Sequence, residues 1–181
     1  MALREIRTIG DEVLRKKCKP VREVDDRVRM LLQDIEDTLR SDENGAGLAA
    51  PQVGILRRLI VVNTPDGSYL KLVNPEIVAS EGEHEVVEGC LSVPGRWGKL
   101  MRPVKVTVKA LDENGEEVTI EAENDYAKLY CHEIDHLDGV LFIDKVTKFI
   151  EDDEDWDEDD CDDDEDWDET DLESDNISVE Q

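Results

Sequence analysis

The stretch His132-Glu133-Ile134-Asp135-His136 constrains this chain more than any other. Two imidazoles stand four residues apart, with a carboxylate directly after the first. On an α-helix, side chains four apart lie on one face, one turn above the other. Both rings can therefore reach one metal ion from a single helix. A chain that uses them in this way must keep that helix central and turn its face toward a third ligand. Glu133 then stands beside the ion, placed to exchange protons with an activated water. The pattern is short enough to arise by chance, so the rest of the chain has to supply the third ligand and a substrate cleft.

Charge divides the 181 residues unevenly. Residues 151–181 hold 20 of the 48 acidic side chains and neither Lys nor Arg; residues 1–150 carry 28 acidic against 21 basic side chains, a net charge of −7 within the total of −27. About 150 residues can bury a good single core. The expected organisation is one catalytic domain, 1–150, and an acidic disordered tail, 151–181. Within the tail, Glu154-Asp155-Trp156-Asp157-Glu158 recurs as Glu165-Asp166-Trp167-Asp168-Glu169. Like-charge repulsion should keep such a segment unfolded, and most such tails merely solvate. The acidity argues against direct nucleic-acid binding, because phosphates are repelled. The start of the chain has no apolar run behind a basic cluster, and no later run approaches a membrane span. Cys18, Cys90, Cys131 and Cys161 show no disulfide spacing, which fits a reducing compartment. A soluble, cytoplasmic protein without membrane contact is expected.

Along the chain, Asp11 to Lys17 reads as a short helix closed by Pro20. Asp25 to Arg40 reads as a strong one: Val28, Leu31, Leu32, Ile35 and Leu39 make one apolar stripe, and Asp25 or Asp26 can cap it. Residues 44–54 are too rich in small side chains for either regular period. They form a flexible turn or a backbone that approaches a ligand closely. Leu59 to Asn63 reads as a buried strand, and Tyr69 to Val73 and Glu76 to Ala79 as two further short ones. Val104 to Ala110 and Val118 to Ala122 alternate in polarity around the turn Asp112-Glu113-Asn114-Gly115, which predicts a hairpin. The helix carrying the two histidines should run from Asn124 to Leu137 and end at Asp138-Gly139. The fold class is α+β, with short, mostly antiparallel strands packed around a central metal-binding helix.

The third ligand separates the possible enzyme classes. A metzincin continuation, HExxHxxGxxH, fails because Phe142 occupies its last position. A thermolysin-like site needs a downstream helical Glu, and downstream there is only the acidic tail. The best remaining donor is upstream: Cys90, a soft ligand flanked by Gly89. Its plainer role is that of a small buried hydrophobe.

Three stretches together, Gly45-Ala46-Gly47-Leu48-Ala49-Ala50-Pro51-Gln52, Glu88-Gly89-Cys90-Leu91-Ser92 and His132-Glu133-Ile134-Asp135-His136, resemble the three motifs of peptide deformylase in order and spacing. The resemblance covers roughly residues 3–147. It implies a metal-dependent hydrolase of protein biosynthesis that removes the N-formyl group from the formyl-methionine of nascent polypeptides and releases formate. The metal ligands would be Cys90, His132 and His136, and the catalytic acid/base Glu133. The Gln52 amide and the Leu91 N–H would bind the formyl oxygen. The peptide would lie extended against Ala46, Gly47, Glu88 and Gly89, pairing as an added strand. The implied metal is Fe2+, with Zn2+, Ni2+ or Co2+ able to replace it. A monomer with at most a transient ribosome contact is expected; the acidic tail is opposite in sign to the basic helix by which some members dock there.

Some positions depart from the family's pattern. On the helix face one and two turns before His132 stand Leu129, Lys128 and Asp125, where the family lines its methionine pocket with more apolar side chains. Lys128 can serve with its methylene stem; Asp125 fits less well. Trp97 stands where some members carry a basic residue. Arg102 can pair with Glu88 and brace the Cys90 segment, or simply relieve surface repulsion.

Overall fold

The computed structural model describes residues 3–42 and 45–150; the tail expected to be disordered lies outside the described residues. After a four-residue 3-10 turn, Glu12–Arg15, comes helix α1, Asp26–Arg40. The Asp25 carboxylate accepts the Val28 N–H at 2.8 Å and so caps α1, satisfying one of the N–H groups a helix start leaves bare. The strands follow as β1 (Gly47–Ala49), β2 (Leu59–Asn63), β3 (Tyr69–Glu81), β4 (His84–Cys90), β5 (Val93–Arg102), β6 (Lys105–Leu111) and β7 (Glu117–Glu123). Helix α2, Asn124–Leu137, and a last short strand β8, Lys148–Ile150, complete the described residues.

Two antiparallel sheets result, one ordered β1-β2-β3-β6-β7 and one ordered β4-β5-β8. The larger sheet is buried on both faces at β1 and β2, and β2 shows why its sequence is apolar without a break. Ile60 and Val62 face α2 together with Leu72, Val106 and Val108. Leu59 and Val61 face the opposite way, onto Leu32, Ile35 and Leu39 of α1. Every residue of a doubly covered strand must be apolar. The smaller sheet lies against a third cluster, Leu14, Val93, Leu141 and Phe142. Helix α2 thus packs on the larger sheet and also meets β5 of the smaller one.

Two expectations need correction. The short helix predicted for Asp11 to Lys17 is only the 3-10 turn Glu12–Arg15, too short to close a regular α-helical turn. The two strands read at Tyr69–Val73 and Glu76–Ala79 are one strand, β3. Its register against β6 shifts between Val73 and Glu76, where Asn74 adopts φ 51° and Pro75 lacks an N–H. A bulge accommodates both without ending the pairing. Asn74 is tied down on both sides: its Oδ1 accepts the Val21 N–H and its Nδ2 donates to the Val21 carbonyl, each at 2.8 Å.

Candidate metal centre

Three elements deliver the donor atoms. Helix α2 presents His132 and His136 on one face, with ring centroids 4.9 Å apart. The irregular end of β4 presents Cys90, where the register against β5 shifts between Gly89 and Cys90. The Cys90 Sγ lies 3.3 Å from His136 Nε2, which lies 3.2 Å from His132 Nε2. All three donor atoms fall within 4.8 Å of one another. Donors on one tetrahedral ion, at about 2.0–2.3 Å from it, sit roughly 3.3–3.7 Å apart.

Hydrogen bonding fixes which atoms face inward. The Glu88 carboxylate accepts a hydrogen bond from His132 Nδ1 at 2.8 Å, which turns Nε2 toward Cys90 and His136. Arg102 holds Glu88 in turn: Nε donates to Oε1 at 2.7 Å and Nη2 to Oε2 at 3.0 Å. The same guanidinium reaches Asp135 at 2.7 Å, and Asp135 accepts from Lys145. Burial opposes ionisation of Glu88, but its bonds with His132 and Arg102 prevail and hold its carboxyl down at about 2. His136 is kept neutral by burial and by the neighbouring His132. Burial also works against a charged His132, yet its bonds with Cys90 and Glu88 lift it to about 10. Without a cation, a proton has to separate these converging donors. A thiol and two imidazoles at this spacing fit a transition-metal ion such as Zn2+ or Fe2+.

Two further side chains reach the site. Gln52 stands in the 3-10 turn Ala50–Val53, which Pro51 starts and Gly54 ends with φ 80°. Its Oε1 accepts the Ala49 N–H at 2.8 Å, so its Nε2 points to Ser92 Oγ at 3.2 Å and Cys90 Sγ at 3.6 Å. Glu133 is 2% exposed and its Oε2 has no hydrogen-bond partner among the described residues. Gly47 lies so close that a β-carbon there would stand 2.7 Å from Glu133 Oε1. That contact explains the glycine at position 47: the backbone of β1 is a wall of the carboxylate's pocket.

The sequence matches the family described as polypeptide deformylase over residues 3–151. The chain belongs to the polypeptide deformylase family. Peptide deformylase 2 of Clostridium acetobutylicum is 61% identical over 150 residues, covering 83% of this chain and 99% of that one. The peptide deformylase of Caldicellulosiruptor bescii is 54% identical over 154 residues, covering 85% and 92%. Among solved structures, a peptide deformylase from Legionella pneumophila superposes with a TM-score of 0.77 at 45% identity, over 81% of this chain and 87% of that one. Peptide deformylases are metal-dependent enzymes that hydrolyse the N-formyl group from nascent polypeptides, and this chain is an enzyme of that kind.

The structure brings Gln52, Cys90, His132, Glu133 and His136 together in this deformylase, with Leu91 next to Cys90 in the turn before β5. Ala46 and Gly47 lie at the outer strand of the larger sheet, and Glu88 and Gly89 at the outer strand of the smaller one. The Glu88 side chain is already engaged, so a peptide would meet its backbone. Sequence reasoning missed Asp135 and Lys145, which extend the Arg102 network, and Phe142, whose ring stacks 6.2 Å from that of His132. Asp135 lies inside the five-residue stretch, but its facing partner is 33 residues away and leaves no local signal.

Burial drives Glu133 up to about 7, with the Glu88 charge adding to it and His132 opposing. The folded state therefore favours the protonated carboxyl. The stability this proton contributes is present below the unfolded value near 4.5 and is lost as pH rises through about 7. Glu133→Gln cannot ionise. In the metal-free protein it should be more stable than wild type by about 3 kcal/mol at pH 8, and equal to it at pH 4. Urea midpoints at the two pH values check this; equal gains at both would show that ionisation is not the cause.

Proposed function

We propose that Cys90, His132 and His136 hold one Fe2+ ion, replaceable by Zn2+, Ni2+ or Co2+, and that Glu133, Gln52 and Leu91 carry out the hydrolysis around it. The single observation that carries this reading is a buried carboxylate, one oxygen of it without a hydrogen-bond partner among the described residues, beside three converging donor atoms. When bound, the ion supplies Lewis acidity, which activates water near neutral pH and polarises the formyl carbonyl. Glu133 takes the proton from the attacking water and later returns it to the leaving amine. The Gln52 amide, anchored through its oxygen, turns its N–H to the developing formyl oxyanion, and the Leu91 N–H is the second donor. Each such donor is worth roughly 10²–10³ in rate. The formylated peptide lies between the outer strands β1 and β4, bonding to the backbone at Ala46–Gly47 and Glu88–Gly89.

The enzyme acts in the cytoplasm as a monomer, with a transient ribosome contact. No helix among the described residues is long and apolar enough to cross a membrane, and the net charge of −27 repels nucleic acid. The catalytic domain is residues 1–150, and the acidic stretch 151–181 follows it in the sequence. The test is formate release from a formyl-methionyl tripeptide by protein purified without oxygen, with metal analysis of the same sample. About one iron per chain and rapid release are expected, with activity falling in air and persisting in a nickel-loaded sample. Release that does not depend on bound metal would overturn the ligand assignment.

A further inference from the structure

Gln52 and Ser92 stand 40 residues apart in two turns that the start of the chain ties together. The Arg7 N–H donates to the Gln52 carbonyl and the Ile9 N–H to the Ser92 carbonyl, each at 2.7 Å. The stretch from Arg7 to Ile9 therefore sets the spacing of the two backbones. Both side chains are closed off from water, with Gln52 2% exposed and Ser92 0%. Polar groups at such depth need hydrogen-bond partners, so where each atom of the Gln52 amide bonds is a matter of accounting.

That amide has one oxygen and two N–H groups to place. A backbone N–H can only donate, so the atom 2.8 Å from the Ala49 nitrogen is Oε1. Nε2 then lies against Ser92 Oγ at 3.2 Å and Cys90 Sγ at 3.6 Å. The hydroxyl oxygen takes one N–H. The other is left facing the donor cluster of Cys90, His132 and His136. Held at its oxygen alone, the amide could still turn about its bond to Cγ. The contact with Ser92 fixes its plane. Without that acceptor the amide could swing its N–H fully onto the Cys90 sulfur, and would have to leave it again when charge develops on a substrate oxygen.

Resting on the deformylase reading above, we propose that Ser92 is a positioning residue for the oxyanion site: its hydroxyl oxygen holds the Gln52 amide in the plane that presents one N–H to the formyl oxygen. A donor aimed before the reaction needs no reorganisation in the transition state, which is the source of its effect. Because Ser92 acts through Gln52, its loss should fall on kcat and spare both peptide binding and metal binding.

The test measures kcat and KM for a formyl-methionyl tripeptide in metal-loaded wild type, Ser92→Ala, Gln52→Leu and the double variant. Rates are expressed per bound metal ion, so unfolded protein drops out. Ser92→Ala should lower kcat about tenfold, part of the roughly 10²–10³ that one oxyanion donor is worth, with KM and metal content within about twofold. In the Gln52→Leu background the same change should cost less than about twofold, because the amide it positions is gone. Urea midpoints of the metal-free proteins should show the same non-additivity. A tenfold loss in both backgrounds, additive midpoint shifts, or a single variant within about twofold of wild type in kcat would overturn the proposal. Should Ser92→Ala not fold, Ser92→Thr and Ser92→Val add similar volume and differ in the hydroxyl. The threonine variant should then be about tenfold faster, and equal rates would overturn the proposal. These outcomes leave the deformylase reading intact; wild type that releases no formate would overturn that reading as well.

Discussion

Glu133→Ala is expected to keep its metal and lose turnover by roughly 10³-fold, the usual contribution of a positioned acid/base. The three candidate ligands are untouched by the change. What disappears is a carboxylate walled in by the Gly47 backbone, 2% exposed and with no hydrogen bond to one of its oxygens among the described residues. Its position in α2, one residue after His132, puts it beside the ion but on the adjoining helix face, outside the donor set. Burial pushes its pKa above the ordinary carboxylate value, which makes it the stronger base. The loss should therefore fall on kcat, with KM nearly constant. Metal content and formate release measured on the same sample decide the matter. Release within tenfold of wild type would assign proton transfer to another group.

Glu88→Ala should destabilise the protein by about 3–5 kcal/mol and weaken metal retention by about 10–100-fold. Arg102 is 3% exposed, and among the described residues Glu88 takes two of the three hydrogen bonds that its guanidinium gives to carboxylates. Without Glu88 a buried cation keeps only Asp135, itself shared with Lys145. His132 loses the acceptor that fixes its Nδ1 proton, so its Nε2 lone pair is no longer held toward Cys90 and His136. Glu88→Gln preserves an acceptor for Nδ1 and should recover part of the metal retention but little of the stability, because the charge is still missing. Denaturant midpoints and competition with a chelator on zinc-loaded protein measure the two effects. A cost below 1 kcal/mol with unchanged retention would show that Arg102 and His132 are held by other contacts.

Local pattern carried far in this chain. The capped stripe of Asp25 to Arg40, the hairpin between Val104 and Ala122, and the helix bounds at Asn124 and Leu137 are all where spacing and end signals placed them. The donor types were legible as candidates: a Cys and two His stood in motifs of set spacing, and the fold brings their donor atoms within 4.8 Å of one another. The sequence also announced the covered strand at Leu59, since a run without polar alternation has to be buried on both faces.

Other features depended on residues distant in the chain. Strand β5 has exposed residues at Trp97 and Met101 and three glycine or proline positions, so its sequence lacks a strand signature; pairing with β4 and β8 makes it one. Gly47 carries no mark of its role until Glu133, 86 residues on, is packed against it. Of the Lys145–Asp135–Arg102–Glu88–His132 network the sequence offered the Arg102–Glu88 pair, but Asp135 and Lys145 taken alone resemble ordinary surface charges. Sequence determines which groups can bind a metal or move a proton, because that chemistry belongs to the side chain. Only the tertiary structure decides their protonation and direction, because burial and opposing charge are properties of what folds around them.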